Sequence, residues 1–366
     1  MQFSRALSQT LFNCLDLSRS GNFRPYTRCA HSGPQIAAAA FLGGEHLPVS
    51  DLLDPRPILL DKINLGATRL EFTETHIVLL CGGKVKYKER PEDPEPPIVS
   101  LRHAITHSPS EYETYRPEDI TDWHADGIFK NLMSFEEDLA GICSLVAIVL
   151  ESPGAIAELG AFSQLPELSK KIVAIKSRDF ETAENLRSFI NLGILKFIRD
   201  DNESAVRNYP WNVANPVSIS EEIVRDVVMD LQEALERIPK SPVFRKTFNS
   251  HIVVLVCEIV SLFTAIKETE ILSYLATFEV LLTREELKRK LFLLEKFQLL
   301  KKETYSDATF YMIGRSKYHK LRFSLKDGEH YDAIRTQIEC LAYYNTNPKH
   351  KNRSRAIKQA AIGLQR

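Results

Sequence analysis

Leu145-Val-Ala-Ile-Val-Leu-Glu-Ser-Pro-Gly-Ala-Ile-Ala-Glu-Leu-Gly-Ala-Phe162 is the stretch on which the fold turns. Its first six residues form an unbroken, β-branched-rich apolar run, which suits a parallel strand buried on both faces. The chain then turns sharply at Ser152-Pro153-Gly154 and opens a helix expected from about Ala155 to Leu165. Two runs of the same texture flank it. His76-Ile-Val-Leu-Leu-Cys81 precedes it and ends in Gly82-Gly83, and Ile172-Val-Ala-Ile175 follows it. A helical stretch around Phe129–Cys143 separates the first two runs. Strand–helix–strand alternation predicts an α/β fold with a doubly wound parallel sheet. In such a sheet ligands bind beyond the carboxyl ends of the strands, which is where the Ser152 turn lies.

The whole chain has 366 residues, long enough for two or three domains. A hydrophobic content of 44% with 26% charged residues excludes a disordered or collagen-like chain. No apolar run approaches the roughly 18 residues of a membrane span, so no membrane role is expected. The six cysteines are widely spaced without a C-x-x-C pair, which points away from a zinc ribbon or disulfide framework and makes a cytoplasmic location the default. The ten histidines show no metal-ligand spacing, so no metal is expected. Neither G-x-G-x-x-G nor a Walker lysine loop is present, against a dehydrogenase or P-loop NTPase. Arg5, Arg19, Arg24 and Arg28 with one acid, Asp16, superficially suggest a transit peptide. An appended amphipathic helix using Leu7, Leu11 and Phe12 fits as well.

Four prolines place Glu89–Pro97 in an exposed loop. From about Ser220 the texture becomes helical: Glu221–Ile238 is amphipathic and His251–Phe263 strongly apolar. Thr283-Arg-Glu-Glu286 is a capping box that starts a helix. A strand, polar turn and strand then follow from Leu299 to Ile313, and short helices before a hairpin suggest a winged-helix module. The expected layout is an unassigned extension (1–60), the α/β domain (61–240), a winged-helix-like domain (241–345) and a basic tail (346–366). The formal charge of -1 conceals an asymmetry: Ser241–Arg366 holds 22 Lys+Arg against 13 Asp+Glu. A basic C-terminal third on an acidic body suits a polyanion partner.

Glu158 falls in the first turns of its helix, where the helix dipole favours an ionised carboxylate. Held over a strand-end crevice, such a group can attack or stabilise a sugar anomeric carbon. By itself the spacing also fits a helix whose Glu158 faces solvent and whose Gly160 serves packing.

Glu151-Ser-Pro-Gly-Ala-Ile-Ala-Glu-Leu-Gly160 resembles the D-x-G-[TS]-A-x-E-x-G segment of nucleoside 2-deoxyribosyltransferases, which share a flavodoxin-like sheet. Glu137-Asp-Leu-Ala-Gly-Ile142 resembles their D-L-x-G-I stretch. That resemblance implies Glu158 as nucleophile or oxocarbenium stabiliser and Asp138 as supporting carboxylate. Cys81, Gly82, Gly83, Ser152 and Gly154 would then lie against the substrate. Glu151 stands where the transferases have Asp, and Ala155 replaces their Thr or Ser, which favours glycosidic cleavage over deoxyribosyl exchange. Leu80-Cys-Gly-Gly83, Tyr115-Arg-Pro-Glu-Asp119, the Glu151–Phe162 segment and Arg187-Ser-Phe-Ile-Asn191 together resemble the ribosyltransferase-like/DNA-binding effectors of type II retrons. This resemblance runs from about Thr75 to Tyr344. It implies a toxin-like N-glycosidase of phage defence that hydrolyses NAD+, as substrate rather than cofactor. It also implies restraint by the retron reverse transcriptase with its RNA–DNA hybrid (msDNA), leaving an oligomer open.

Asp119 and Asn191 are further substrate-binding candidates, although loop acids such as Asp119 are more often simply solvated and an ordinary helix cap explains Asn191 equally well. Arg284, Lys288, Arg289, Lys301 and Lys302 are the nucleic-acid-binding candidates of the C-terminal module. The alternatives are a non-catalytic nucleotide-sensing DNA-binding regulator and a salvage deoxyribosyltransferase.

Overall fold

The computed structural model describes residues 53–366, apart from 74–75, 125–126, 183, 315–317 and 364–366. The expected helix with Leu7, Leu11 and Phe12, together with Cys14 and Cys29, lies outside the described residues. Helix α1 (Pro55–Lys62) leads into strand β1 (Ile63–Glu71). The α/β layer follows: β2 (Ile77–Cys81), α2 (Leu101–Thr106), β3 (Glu113–Tyr115), α3 (Leu132–Ile142), β4 (Leu145–Val149), α4 (Pro153–Ser163) and β5 (Ile172–Ser177). A π-helical turn (Ile190–Leu195), α5 (Lys196–Asp201), β6 (Val206–Tyr209) and α6 (Glu221–Glu236) complete it.

Five parallel strands stand in the order β3-β2-β4-β5-β6. Counted from β2, that is the 2-1-3-4-5 order of doubly wound sheets, with its switch point between β2 and β4. Every residue of β2, β4 and β5 is buried, so their apolar runs are continuous rather than alternating. Alternate side chains still divide between two cores. Leu79, Val146, Ile148 and Ala174 pack with Phe135 and Leu139 of α3 and Leu159 and Phe162 of α4. Val78, Leu80, Ala147, Val149 and Ile175 pack with Leu101 and Ile105 of α2 and Val227 and Leu231 of α6. Hydroxyl and amide caps start these helices: Ser100, Asn131, Ser152 and Ser220 accept backbone N–H groups at α2, α3, α4 and α6.

Beyond residue 240 the chain is mostly helical: α7 (Asn249–Leu262), α8 (Glu268–Thr277) and α9 (Arg284–Lys296). A hairpin of β7 (Leu300–Tyr305) and β8 (Ala308–Ile313) follows, then β9 (Lys320–Leu325), α10 (Ala333–Thr346) and α11 (Lys351–Gly363). The capping box at Thr283 is formed, with Thr283 Oγ1 and Glu286 bonding each other's backbone N–H. Glu279, at φ 60°, lies in a turn between α8 and α9.

Three features depart from the expected layout. Ile63–Glu71 stands outside the parallel sheet, because its antiparallel partner is β9. The core on the α3/α4 face runs without a break into Leu255, Ile259, Leu291 and Leu294, so the architecture changes near residue 240 while the core does not. The expected basic tail folds as α11. Its Arg353 is 3% exposed and donates to the Glu270 carboxylate at 2.6 and 2.7 Å, a group that Arg56 also engages at 2.8 Å.

Candidate active site

Two strand ends and two helix starts meet at the switch point. β2 runs into Gly82-Gly83 and β4 into Glu151-Ser152. Gly82 has φ 155°, and a Cβ there would stand 3.0 Å from Val149 Cβ. At Gly83 a Cβ would lie 2.9 Å from both Glu151 Oε1 and Ser100 Cβ. Close approach therefore demands both glycines. The Glu151 carboxylate is the reason. It accepts the N–H groups of Gly83 (3.0 Å), Leu101 (2.9 Å) and Arg102 (3.0 Å), tying the end of β2 to the start of α2. Gly83→Ala should cost about 1–3 kcal/mol by overpacking this grip. The measurement is the urea midpoint, and an unchanged midpoint would show that the carboxylate yields.

Ser152 caps α4. Its Oγ accepts from Ala155 N at 3.1 Å and donates to Gly82 O at 3.1 Å, which joins the two strand ends across the switch point. One and a half turns into α4, Glu158 points back at β2, where the Cys81 thiol donates to its carboxylate. Its Oε2 is buried without a hydrogen-bond partner. Buried acceptors are almost always satisfied, so an orphan carboxylate oxygen at a strand end makes Glu158 a candidate functional group. Burial raises the Glu158 pKa above the ordinary carboxylate value, while the Cys81 bond and the Arg102 charge pull it down.

Sequence reading did not single out the second acid. Glu136 of α3 is 7% exposed. Burial, and then the Glu158 and Glu118 charges, push its pKa up to about 7. Glu158 thus ionises first and Glu136 holds its proton to near neutrality. Arg102, 5% exposed, anchors the opposite wall: it donates to Leu80 O (2.9 Å), Gly83 O (3.2 Å) and Glu118 Oε2 (2.7 Å). Burial of Glu118 opposes its ionisation, but the Arg102 bond and charge win and its pKa falls. The result is one fixed cation and, besides Glu151, three carboxyls around the end of β2, with Glu158 and Glu136 destabilised as anions.

The other candidates fall elsewhere. Asp138 lies two residues past Glu136, about 200° round the helix, and faces α9 rather than the crevice. It accepts from Arg289 Nε (2.8 Å), Lys290 Nζ (3.2 Å) and Asn249 Nδ2 (3.2 Å). Asp138→Ala would leave Lys290, 5% exposed, without its ion-pair partner among the described residues. It should lose about 3 kcal/mol in chemical denaturation, and a loss below ~1 kcal/mol would mean that the cluster relaxes into solvent. Asp119 closes a ring with the Arg116 side chain and backbone. Asn191 donates to Phe180 O and Asn185 O at 2.9 and 2.8 Å, clamping the loop after β5. Gly154 stays at the site, in the first turn of α4, where an added Cβ would meet only Ser152 Oγ at 3.9 Å.

Of the five nucleic-acid candidates, three are engaged within the chain. Arg284 pairs with Glu268, Arg289 with Asp138 and Lys302 with Glu295. Lys288 is exposed and Lys301 half-buried, and neither has an ion-pair partner among the described residues. Among the described residues no helix is long and apolar enough to cross a membrane, and no three potential ligands cluster as a metal site.

Residues 99–302 match the family model of the STM3845 retron effector protein, which takes in α2 to the start of β7 and with them Arg102, Glu118, Glu136 and Glu158. Two curated proteins of Escherichia coli are similar. The retron Ec86 ribosyltransferase/DNA-binding protein is 32% identical over 133 residues, 35% of this chain and 39% of its own length. The retron Ec73 ribosyltransferase/DNA-binding protein is 34% identical over 80 residues, 22% of this chain and 24% of its own. The chain therefore spans about two fifths and about a quarter of these relatives.

Proposed function

This chain belongs to the family of the STM3845 retron effector protein, and on that premise we propose that it is an N-glycosidase that hydrolyses the nicotinamide–ribose bond of NAD+. The observation that carries the reading is the buried, unpartnered Oε2 of Glu158 at the switch point of the sheet, beside a second carboxyl that keeps its proton to about pH 7. The C1′–N bond breaks with its electron pair going to the ring nitrogen, and nicotinamide leaves neutral. The ionised Glu158 stabilises the positive charge left on C1′ and the ring oxygen, or traps it. Water adds its oxygen to C1′ and passes a proton to Glu136, giving ADP-ribose. Glu136 takes over the supporting role expected of Asp138, whose oxygens are held by α9 and Asn249. Arg102 keeps the strand-end carbonyls and Glu118 in place around the sugar.

The nucleoside deoxyribosyltransferase-like sheet and the winged-helix-like helices and hairpin are parts of the same reading. Phosphates would be met by Lys288, Lys301 and the edge of the hairpin rather than by Arg289, which α3 already holds. The partner in restraint is the reverse transcriptase with its RNA–DNA product, as the family resemblance implies. Incubating the purified chain with NAD+ and following nicotinamide tests the activity. No release from the wild-type chain, freed of reverse transcriptase and nucleic acid, would overturn it.

A further inference from the structure

At the amino ends of β4 and β5, a strand's length from the glycosidic crevice (about 13 Å for four residues of β4), lies a cavity of about 560 Å³. We infer that it is a second small-molecule site, taking an anionic, ring-bearing metabolite of the mononucleotide class. Its volume is in the range of ligand pockets. The walls come from the strand starts, from the segment crossing between α6 and α7, from α7 itself and from Tyr318-His319.

Charge selects an anion. Lys170, Lys171, Arg237 and Arg245 line the cavity against one lining acid, Glu167, and Arg237 is paired with Glu233 outside it. That acid is already engaged by Asn249 N (2.6 Å), Ser250 N (2.9 Å) and Lys171 (3.5 Å). Lys170 and Arg245 have no carboxylate within ion-pair distance among the described residues. A polar group is also set inside. His251 is 6% exposed, and its Nδ1 accepts the Arg245 N–H at 2.9 Å. Nε2 therefore carries the ring proton and forms a neutral donor edge on the cavity wall. Burial holds the imidazole neutral, with its pKa at about 4. His319 is neutral for the same reason, at about 3, its Nδ1 accepting from Thr73 N at 3.3 Å.

The remaining walls are apolar and aromatic. Phe72, Phe248 and Tyr318 face the space, with the Arg245 guanidinium 5.1 Å from the Phe248 ring centroid. A bare phosphate would satisfy the cations and leave these rings uncovered; a nucleobase covers them. This inference does not rest on the glycosidase reading, since none of these residues belongs to the crevice.

Equilibrium dialysis of the full chain against AMP, inorganic phosphate and adenosine tests it. AMP should bind saturably, at least tenfold tighter than phosphate or adenosine. Lys170→Glu, at an exposed position, and Arg245→Glu should each weaken AMP at least tenfold, and His251→Leu should do the same with circular dichroism unchanged. Glu158→Gln should leave AMP binding as it is. Undiminished AMP binding in both charge-reversal variants would place the ligand elsewhere and overturn the inference. Absence of saturable AMP binding, or equal affinity for phosphate, would overturn it too.

Discussion

Glu158→Gln should lower nicotinamide release from NAD+ by roughly 10³-fold or more, with little change in KM. The amide keeps the size and the Cys81 contact but carries no charge for the developing cation at C1′. The loss therefore falls on the transition state, and the substrate is still held by the same walls. A second effect separates this from mere disturbance of the fold. Because the Glu158 charge raises the pKa of Glu136, the amide should move the Glu136 titration downward from about 7. Carboxyl NMR shifts or the pH dependence of residual activity would show it. Equal rates for wild type and Glu158→Gln would remove Glu158 from the chemistry.

Glu136→Gln should cost roughly 10²–10⁴-fold in turnover and change the shape of the pH profile. For hydrolysis with a neutral leaving group, Glu136 must be ionised to take the water's proton. Wild-type turnover should thus rise through pH about 7, and the variant should lose that limb. A rate that falls through the same pH would mean that Glu136 acts as an acid, as cleavage of a neutral purine nucleoside requires. Stability should move the other way. Glu136 has a folded-state pKa above its ordinary value, so its contribution is fully present below pH 4.5 and is lost as pH rises through about 7. At pH 8 the glutamine variant should therefore be more stable than wild type, by about 3 kcal/mol at most. A residue with a purely structural role would lose stability and activity together.

The three apolar runs at Ile77, Leu145 and Ile172 were legible as buried parallel strands because their periodicity is absent, and only a strand covered on both faces has that texture. Ser152 and Thr283 were legible as helix starts, since a cap is a local hydrogen bond. Glu158 at the carboxyl end of a strand followed from the same local order. Glu136 was not legible beside Asp138. Two carboxylates two residues apart on one helix point in nearly opposite directions, and which of them turns inward depends on what packs against α3. Here α9 and Asn249 of α7 come from more than a hundred residues away and claim Asp138.

The basic third of the chain carries the same lesson. The sum of 22 against 13 belongs to the sequence, as do the strand order's raw material and the Glu151–Gly160 motif. What only the tertiary structure decided is which charges are spent. Arg289 holds α3, Arg353 is interior beside Glu270, and Lys288, Lys301, and Lys170 and Arg245 at the amino-end cavity are left to meet something else. Local order specifies strands, caps and turns through contacts a few residues apart. Ion pairs and carboxyl proximity depend on which faces meet, and here that follows from how α3, α7 and α9 pack together.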